Sequence, residues 1–437
     1  MGITLAIIYA LLICYCIYRF DILRPKGMDW EISAVYFFAK CMVGIGLGIF
    51  YLKYYGAGDT YGYFSDSGHL FSVLFNEPKQ FFKIMLGYHL ESPDTARNVA
   101  SLHMWVDSGF DEYYNDAKTL VKLNTLFRFV SFGYYEVHVV LMAFMAYFGL
   151  VLLYNVFLDE LIPNNKWSWI VLLLVFTIPS HFIWSSGLMK EPLIVFVFAL
   201  LMYITYLSTQ QMRVRYIVYF ASIVLFFCFV KIYLLLIMFP GILGIYLFRF
   251  KNPLKQITFI VLFYVVAGSL VLFLGNYYPA FDLPALMFGK QLNTYRFAVF
   301  MNAGSLVQPI SFAPTVSSFI KHFPEASWYA FFHPTLSELK EWWFFPFSVE
   351  SWIIIFFFVL NFVLDKGKTY FTSSFCVLSL FIAVMLLALV GFTNPVLGNI
   401  VRYRMIAMLV LILSSGSSLI KLLNQKYSNH IKEKIEL

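Results

Sequence analysis

The sequence predicts an all-α integral membrane protein, a polytopic helix bundle of about eleven transmembrane helices with two long outer loops. Of the 437 residues, 61% are hydrophobic and 13% are charged, and the mean hydropathy is +0.76. Soluble domains carry about a quarter charged residues, so this chain has too little polar surface for water. The apolar residues also fall in separate runs, and a bilayer is crossed by about 20 residues rising 1.5 Å each.

The apolar runs define the predicted spans. They comprise residues 2–18, 33–52, 136–157, 168–184, 192–207, 216–230, 232–248, 256–275, 350–364, 371–391 and 404–420. No internal repeat or Pro-rich or Ser-rich linker divides the chain, so residues 1–437 are predicted to form a single multi-span domain. Residues 53–135 and 276–349 are the two outer loops, and their many Tyr and Trp residues favour packing against the membrane surface.

The basic residues predict the topology. Every odd-numbered run is followed by Lys or Arg, namely Arg19, Arg24, Lys26, Lys166, Arg213, Arg215, Arg249, Lys251, Lys255, Lys366, Lys368, Lys421, Lys426, Lys432 and Lys434. Cytoplasmic segments carry an excess of these residues. We therefore expect a multi-pass protein of the cell inner (cytoplasmic) membrane, with the N-terminus and both long loops outside and the C-terminus in the cytoplasm. The first run lacks a basic n-region and a small-residue cleavage site, which favours a retained signal anchor.

Several function classes are disfavoured by composition and motif. The net charge of +7 forms no basic stripe, so nucleic acid is not a predicted partner. All five cysteines lie inside apolar runs, which predicts neither a disulfide framework nor a paired zinc motif. P-loop, Rossmann and nucleophile-elbow patterns do not occur, which argues against a nucleotide-driven pump.

Two stretches are predicted to be broken hairpins. Residues 167–207 are interrupted near Pro179 and again by the polar run that ends in Lys190 and Glu191, leaving arms too short to span a core of about 30 Å. Residues 216–248 form one apolar run that contains Lys231 and has basic groups at both ends. Equal charge on both flanks favours a bent hairpin with Lys231 at its tip. Irregular backbone and charge at membrane depth are tolerated only inside protein or beside trapped water.

The segment after the second span carries the candidate catalytic carboxylates. Asp59 and Asp66 lie on a Gly-rich stretch with His69, and a spacing of seven places both carboxylates on one face if the segment is helical. Two carboxylates and a histidine suit a general base, and they also suit a divalent cation, although no zinc signature or other certain cofactor motif is present. The structural alternative is that Asp59 caps a helix and the glycines form the turn.

Five further residues are candidates for a substrate site that binds an anionic group. Lys190 and Glu191 also fit the start of a helix, where Glu suits the dipole. Lys231 has apolar neighbours for more than a dozen positions on each side, which favours a functional role. Arg402 and Arg404 carry guanidinium groups that match phosphate oxygens. They point about 200° apart on a helix, so we expect one of them to pair with a loop carboxylate.

At these residues the chain resembles polytopic enzymes that use polyprenyl-phosphate-linked sugars, the GT-C glycosyltransferases and the Wzy-type polysaccharide polymerases of the bacterial envelope. The resemblance covers the whole chain in architecture. Its matching pieces are Asp59 in an early outer loop, Ile178-Pro179-Ser180 with the stretch from Trp184 to Glu191, Lys231-Ile232-Tyr233, and Arg402-Tyr403-Arg404.

The resemblance implies a transfer reaction on a lipid-linked sugar, with membrane lipid as the other partner. A sugar hydroxyl would attack the anomeric carbon of a second lipid-linked chain, with Asp59 or Asp66 as base. The cations would hold the leaving phosphate, and His69 and Glu191 would complete the substrate site; these cations are Lys190, Lys231, Arg402 and Arg404. The alternatives are a transporter of lipid-linked sugars, which should show two similar halves, and a non-catalytic subunit of envelope assembly.

The topology is testable by thiol labelling of intact cells. In a background without the five native thiols, we expect a cysteine at Ser92 to react with an impermeant reagent, because 53–135 is an outer loop. A cysteine at Ser428 should react only after the cells are opened. Labelling at Ser428 but not at Ser92 would invert the predicted topology and move the candidate site to the cytoplasmic side.

Overall fold

A computed structural model describes residues 1–88, 90–105, 115–161, 173, 175–248, 253–338 and 341–435 of the protein. The described residues are 83% helical and contain no strand, only an isolated antiparallel bridge between Leu306 and Val396. The predicted all-α fold class is confirmed.

The described ranges contain eighteen α-helices, which we number in chain order. They are α1 (Gly2–Arg19), α2 (Trp30–Tyr55), α3 (Gly58–Asn76), α4 (Pro78–Leu86), α5 (Pro93–Ala100), α6 (Ala117–Ser131), α7 (Tyr135–Leu161), α8 (Pro179–Trp184), α9 (Lys190–Gln210), α10 (Val214–Phe248), α11 (Pro253–Gly275), α12 (Leu283–Phe300), α13 (Val316–Phe332), α14 (Phe345–Asp365), α15 (Lys368–Phe371), α16 (Ser374–Thr393), α17 (Leu397–Tyr403) and α18 (Met405–Ile435). Nine are long and apolar enough to cross a membrane: α1, α2, α7, α9, α10, α11, α14, α16 and α18. The protein is therefore a multi-pass membrane protein.

The difference between eleven predicted and nine observed spans has two sources. The runs 216–230 and 232–248 are both part of α10, which is counted as one span. The run 168–184 is described only at 173 and 175–184, where residues 173 and 175–177 are helical and the short helix α8 follows, so no long span is counted there. The other eight predicted spans correspond to eight of the observed ones.

The predicted loop 53–135 contains much helix. Gly56 and Gly58, at φ 74° and 63°, form the turn from α2 into α3, a conformation that glycine adopts without steric cost. Asp59 lies in the first turn of α3, whose N-cap is Ala57, so the glycine turn of the structural alternative is present but Asp59 does not occupy the cap position. Helices α3 to α6 occupy much of the described part of this segment, and α12 and α13 do so in residues 276–349.

Contacts divide the chain into two compact units. Unit 1 comprises Met1–Leu153, Phe182–Met202 and Tyr219–Ile232, and unit 2 comprises Tyr154–His181, Tyr203–Val218 and Tyr233–Leu437. Helices α7, α9 and α10 each contribute to both units. The chain therefore passes repeatedly from one unit to the other within single helices.

In unit 1, α2 supports the broken stretch between α8 and α9. The Nζ of Lys40, a fully buried residue, donates to Ser185 Oγ at 2.8 Å. Gly44 lies one turn further along α2, and a Cβ atom built there would overlap the carbonyl oxygen of Ser186. Only a glycine therefore allows this irregular backbone to approach the helix so closely.

Unit 2 contains a close helix pair of the same kind. Gly391 of α16 faces α13, and a Cβ atom there would overlap the carbonyl oxygen of Ala326. Next to this contact lies a hydrophobic cluster of buried side chains from α13, α16 and the segment before α13: Ile310, Phe312, Ala326, Ala388 and Phe392. Small residues at helix contacts are typical of membrane bundles, since backbones approach closely there.

Two glycines of α2 provide a matched pair of variants. Gly44→Ala inserts a methyl group against the Ser186 carbonyl, and we expect it to lower the free energy of unfolding by about 1–3 kcal/mol. Gly46→Ala meets no atom within 4 Å and should be neutral or slightly stabilising. Thermal unfolding in detergent compares the two. Equal unfolding midpoints for the two variants would show that the close approach of residues 185–189 to α2 does not contribute to stability.

Candidate functional site

Three charged side chains from separate segments of unit 1 meet at one point. One carboxylate oxygen of Asp116 bonds Lys190 Nζ and the other bonds Lys231 Nζ. The side chains of Lys190, Lys231 and Asp116 are 23%, 14% and 11% exposed. Two cations and one anion give these three groups a summed charge of +1. We refer to Asp116, Lys190 and Lys231 as the charged triad.

Local structure at the start of α6 directs Asp116 towards the lysines. Asp116 occupies the N-cap position, but its side chain makes no capping hydrogen bond. Asn115 Oδ1 instead accepts from the Ala117 amide at 2.9 Å. The carboxylate is thereby directed to the two ammonium groups, while its negative charge still suits the positive end of the α6 dipole.

Lys231 lies at a break in α10. Its φ of −163° and ψ of 82° are not helical, and they separate two helical arms within 214–248. The sequence predicted the tip of a hairpin at Lys231, and the structure shows a break in the helix at this residue. A break deprives the preceding carbonyls of their amide partners, and the Thr119 hydroxyl donates to the carbonyl of Phe229 at 2.6 Å.

Lys190 is the first residue of α9, which agrees with the structural alternative that Lys190 and Glu191 begin a helix. A cation at a helix N-terminus is unfavourable because it faces the positive end of the dipole. Asp116 offsets this repulsion. The aromatic ring of Tyr63, a buried residue of α3, lies 5.8 Å from Lys190 Nζ and adds a cation–π contact.

Asp59 lies on the same face of α3 as Tyr63. The two residues are four apart in one helix, which places their Cβ atoms about 5–6 Å from each other. Asp59 is half-buried, and the next residue, Thr60, shares a 2.6 Å hydrogen bond with Tyr135 at the start of α7. The carboxylate of Asp59 is thus held one helical turn from the ring that contacts Lys190.

Asp66 is fully buried and positions a loop. Its two carboxylate oxygens accept from the backbone amides of His103 at 3.1 Å and Met104 at 2.6 Å. Burial raises the pKa of Asp66, although these two hydrogen bonds oppose the increase. Because both oxygens already support the backbone at 103–104, these contacts favour a structural role, and Asp59 is the better candidate base.

His69 and Glu191 have different surroundings. His69 is exposed on α3, between the exposed Ser65 and Ser72 on its polar face. Glu191 lies in the first turn of α9 and is 3% exposed. Only Glu191 is adjacent in sequence to a member of the charged triad.

Arg402 and Arg404 belong to unit 2. The Arg404 guanidinium donates to four carbonyl oxygens, those of Ala330, Phe331, His333 and Phe347, at 3.1, 2.7, 2.6 and 2.6 Å. It is fully buried, and Glu350 is its electrostatic partner. These contacts favour a structural role for Arg404, in place of the predicted phosphate binding. Arg402 is 7% exposed and lies 5.7 Å from the ring of Tyr403.

The lysines determine the protonation of Asp116. Burial alone would raise its pKa, but Lys231 and Lys190 lower the pKa from 3.8 to about 2. A carboxylate whose pKa is lowered by folding stabilises the folded state above its unfolded pKa. The contribution of Asp116 to the free energy of unfolding is therefore complete above about pH 4 and is lost as the pH falls through about 2.

Neither a metal centre nor a relative identifies the protein further. Among the residues that the structure describes, no group of three His, Cys, Asp or Glu side chains is arranged to hold a metal ion. No protein family, curated protein or solved structure matches the chain. The fold and the site therefore define its class, a polytopic all-α membrane protein with a buried charged triad.

Sequence reasoning identified Lys190 and Lys231 but missed Asp116. Asp116 lies 74 residues before the first lysine and 115 before the second, so spacing gives no sign of the contact. Two signals were present in the sequence. Two cations at membrane depth require a counter-ion. Asn115-Asp116 also precedes an amphipathic helix, where such residues commonly form the cap.

The triad can be tested by a double-variant cycle. Asp116→Asn leaves Lys190 and Lys231 facing each other without the carboxylate, and we expect the free energy of unfolding to fall by about 3–5 kcal/mol. Adding Lys231→Met removes one cation and should recover part of the loss. Denaturant unfolding in detergent measures both changes.

Asp94→Asn is the matched control for this cycle. Its carboxylate is 71% exposed and lies 3.9 Å from Arg97, so the change should be within about 0.5 kcal/mol. If Asp116→Asn costs no more than Asp94→Asn, the triad does not stabilise the fold.

Proposed function

We propose that the protein is a membrane glycosyltransferase or polysaccharide polymerase that acts on polyprenyl-phosphate-linked sugars at the outer face of the cytoplasmic membrane. The observation that carries the proposal is the bridging of Lys190 and Lys231 by a single carboxylate. An anionic group with two oxygens fits between these ammonium groups, and a lipid phosphate offers such oxygens.

The surroundings of the triad also suit a phosphate. Lys190 opens a 21-residue helix, whose N-terminal amides and dipole favour negative charge. Both lysines lie at ends or breaks of membrane-spanning helices, where a headgroup attached to a lipid tail would be presented. Fixed cations in a poorly hydrated site stabilise the charge that develops on a leaving phosphate.

Asp59 is the proposed general base. In this reaction a sugar hydroxyl of the acceptor attacks the anomeric carbon of the donor, and the bond from that carbon to the lipid phosphate oxygen breaks. Asp59 takes the hydroxyl proton, while Lys190 and Lys231 hold the departing phosphate. Asp59 lies one helical turn from Tyr63, whose ring contacts Lys190, and this placement supports the division of roles.

A transporter of lipid-linked sugars is the second candidate. The break in α10 at Lys231 and the irregular stretch between α8 and α9 favour it, because transporters often bind substrate at discontinuous helices. In a transporter the same lysines bind the phosphate and Asp59 has no proton to take. Loss of the Asp59 carboxylate should therefore remove the general base of an enzyme, whereas in a transporter it removes no catalytic group.

The test is incorporation of labelled lipid-linked repeat units into polymer by the purified protein in liposomes. We expect Asp59→Asn to lower turnover by at least about 100-fold while substrate still binds, because shape is kept and the base is lost. We expect Lys231→Gln to weaken binding by about tenfold or more, because a charged hydrogen bond is lost. Turnover should fall further if this contact tightens as the phosphate leaves.

Asp94→Asn and Lys290→Gln are controls, since both side chains are exposed and lie away from the triad in sequence and contacts. Both should retain the parent rate. Polymer formation at the parent rate by Asp59→Asn would reject the proposed base. Movement of the lipid across the bilayer without any polymer would reject the enzyme in favour of the transporter.

A further inference from the structure

The outward face of α6 is apolar near its C-terminal end. Leu126, Phe129 and Val130 are 50%, 53% and 43% exposed, and Phe132, which follows the helix, is 74% exposed. Phe132 has a φ of 52°, a left-handed conformation that glycine usually supplies at a helix end. A bulky exposed aromatic therefore occupies a position where the backbone favours glycine.

The inward face of the second half of α6 is polar, whereas the buried residues of its first half are the apolar Ala117, Leu120 and Val121. Asn124, Thr125 and Ser131 are fully buried. The ring nitrogens of His138 lie 2.8 Å from Asn124 Oδ1 and 2.8 Å from Ser131 Oγ. Polar side chains in the second half of α6 are thus satisfied inside the protein.

The charged residue of this half of α6 also points inward. The Arg128 Nε donates to Ser67 Oγ at 3.0 Å, and its Nη2 donates to the Phe64 carbonyl at 2.6 Å. Its guanidinium lies 4.2 Å from the centre of the Phe64 ring.

Such a distribution is opposite to that of a helix in water, which exposes its charges and buries its apolar side chains. In lipid, polar groups turn towards protein and apolar groups face the acyl chains. The first half of α6 carries Lys118 and Lys122, both half-buried. The helix is therefore basic at one end and apolar at the other, as a helix entering a membrane from the headgroups would be.

A contact with α1 relates α6 to the bilayer. The hydroxyl of Tyr9, the eighth residue of the 18-residue span α1, donates to the Val130 carbonyl at 2.7 Å. The end of α6 thus lies alongside a membrane-spanning helix. The lipid-facing side of α1, which includes Leu11 at 59% exposure, and the apolar face of α6 belong to neighbouring helices.

We propose that α6 is a re-entrant helix whose face formed by Leu126, Phe129, Val130 and Phe132 lies in the hydrocarbon of the bilayer against lipid acyl chains. The sequence assigned α6 to an outer loop, and this inference moves it into the membrane. Helix α3, which packs against α6, exposes Ser65 and Ser72 on its polar face and is the aqueous side of the pair. The proposal stands independently of the proposed enzyme activity.

Spin-label accessibility in liposomes tests this assignment. In the full chain without its five native thiols, single cysteines replace Leu126 or Phe129, and a nitroxide is attached. Leu11→Cys is the lipid-facing control and Ser72→Cys is the water-facing control. We expect the labels at 126 and 129 to relax with molecular oxygen, which partitions into lipid, as strongly as the label at 11. They should respond to a polar nickel complex far less than the label at 72.

Two results would overturn the proposal. Strong relaxation by the nickel complex at 126 and 129 would place the face in water. Weak relaxation by both reagents would show that protein, such as a second copy of the chain, covers it. If Phe129→Cys does not fold, the milder Leu126→Cys and the terminal Phe132→Cys give the same comparison.

Discussion

The arrangement of unit 1 depends on the compensation of Lys231 by Asp116. A lysine near the centre of a membrane segment costs about 3 kcal/mol or more when nothing offsets its charge. Asp116 bonds this lysine and Lys190 at once, and the three residues lie at the start of α6, the start of α9 and the break in α10. One carboxylate therefore joins three helices at points where their backbones are least regular.

The irregular backbone around these points is satisfied by specific polar side chains. Thr119 supplies a donor to the Phe229 carbonyl near the break in α10, and Lys40 supplies one to Ser185 in the stretch between α8 and α9. Gly44 lets that stretch approach α2. Non-helical backbone is tolerated at membrane depth only when protein or water replaces its lost hydrogen bonds. These side chains thus make the break in α10 and the irregular stretch between α8 and α9 compatible with a membrane bundle.

Sequence patterns predicted what depends on local order. Most spans, the glycine turn before Asp59 and the break at Lys231 follow from hydropathy, glycine and the position of one charge. Contacts between distant residues were not predictable in this way, which is why Asp116 was missed and why Arg404 was assigned to a ligand although it binds four carbonyls. Helix α6 was assigned to a loop because its inward polar residues lower its mean hydropathy, even though its outward face is apolar.

The charged triad and α6 are linked through Asp116, which stands at the start of that helix. In the proposed reaction the phosphate competes with the Asp116 carboxylate for the same two ammonium groups. A phosphate diester carries one negative charge, as the Asp116 carboxylate does, and a diphosphate carries more. A diphosphate therefore compensates the charges of the two lysines better than the carboxylate that it displaces. Release of Asp116 removes one of the bonds that hold the start of α6. If α6 lies in lipid as proposed, the element that responds to binding is also the one in contact with the lipid tails from which the substrate comes.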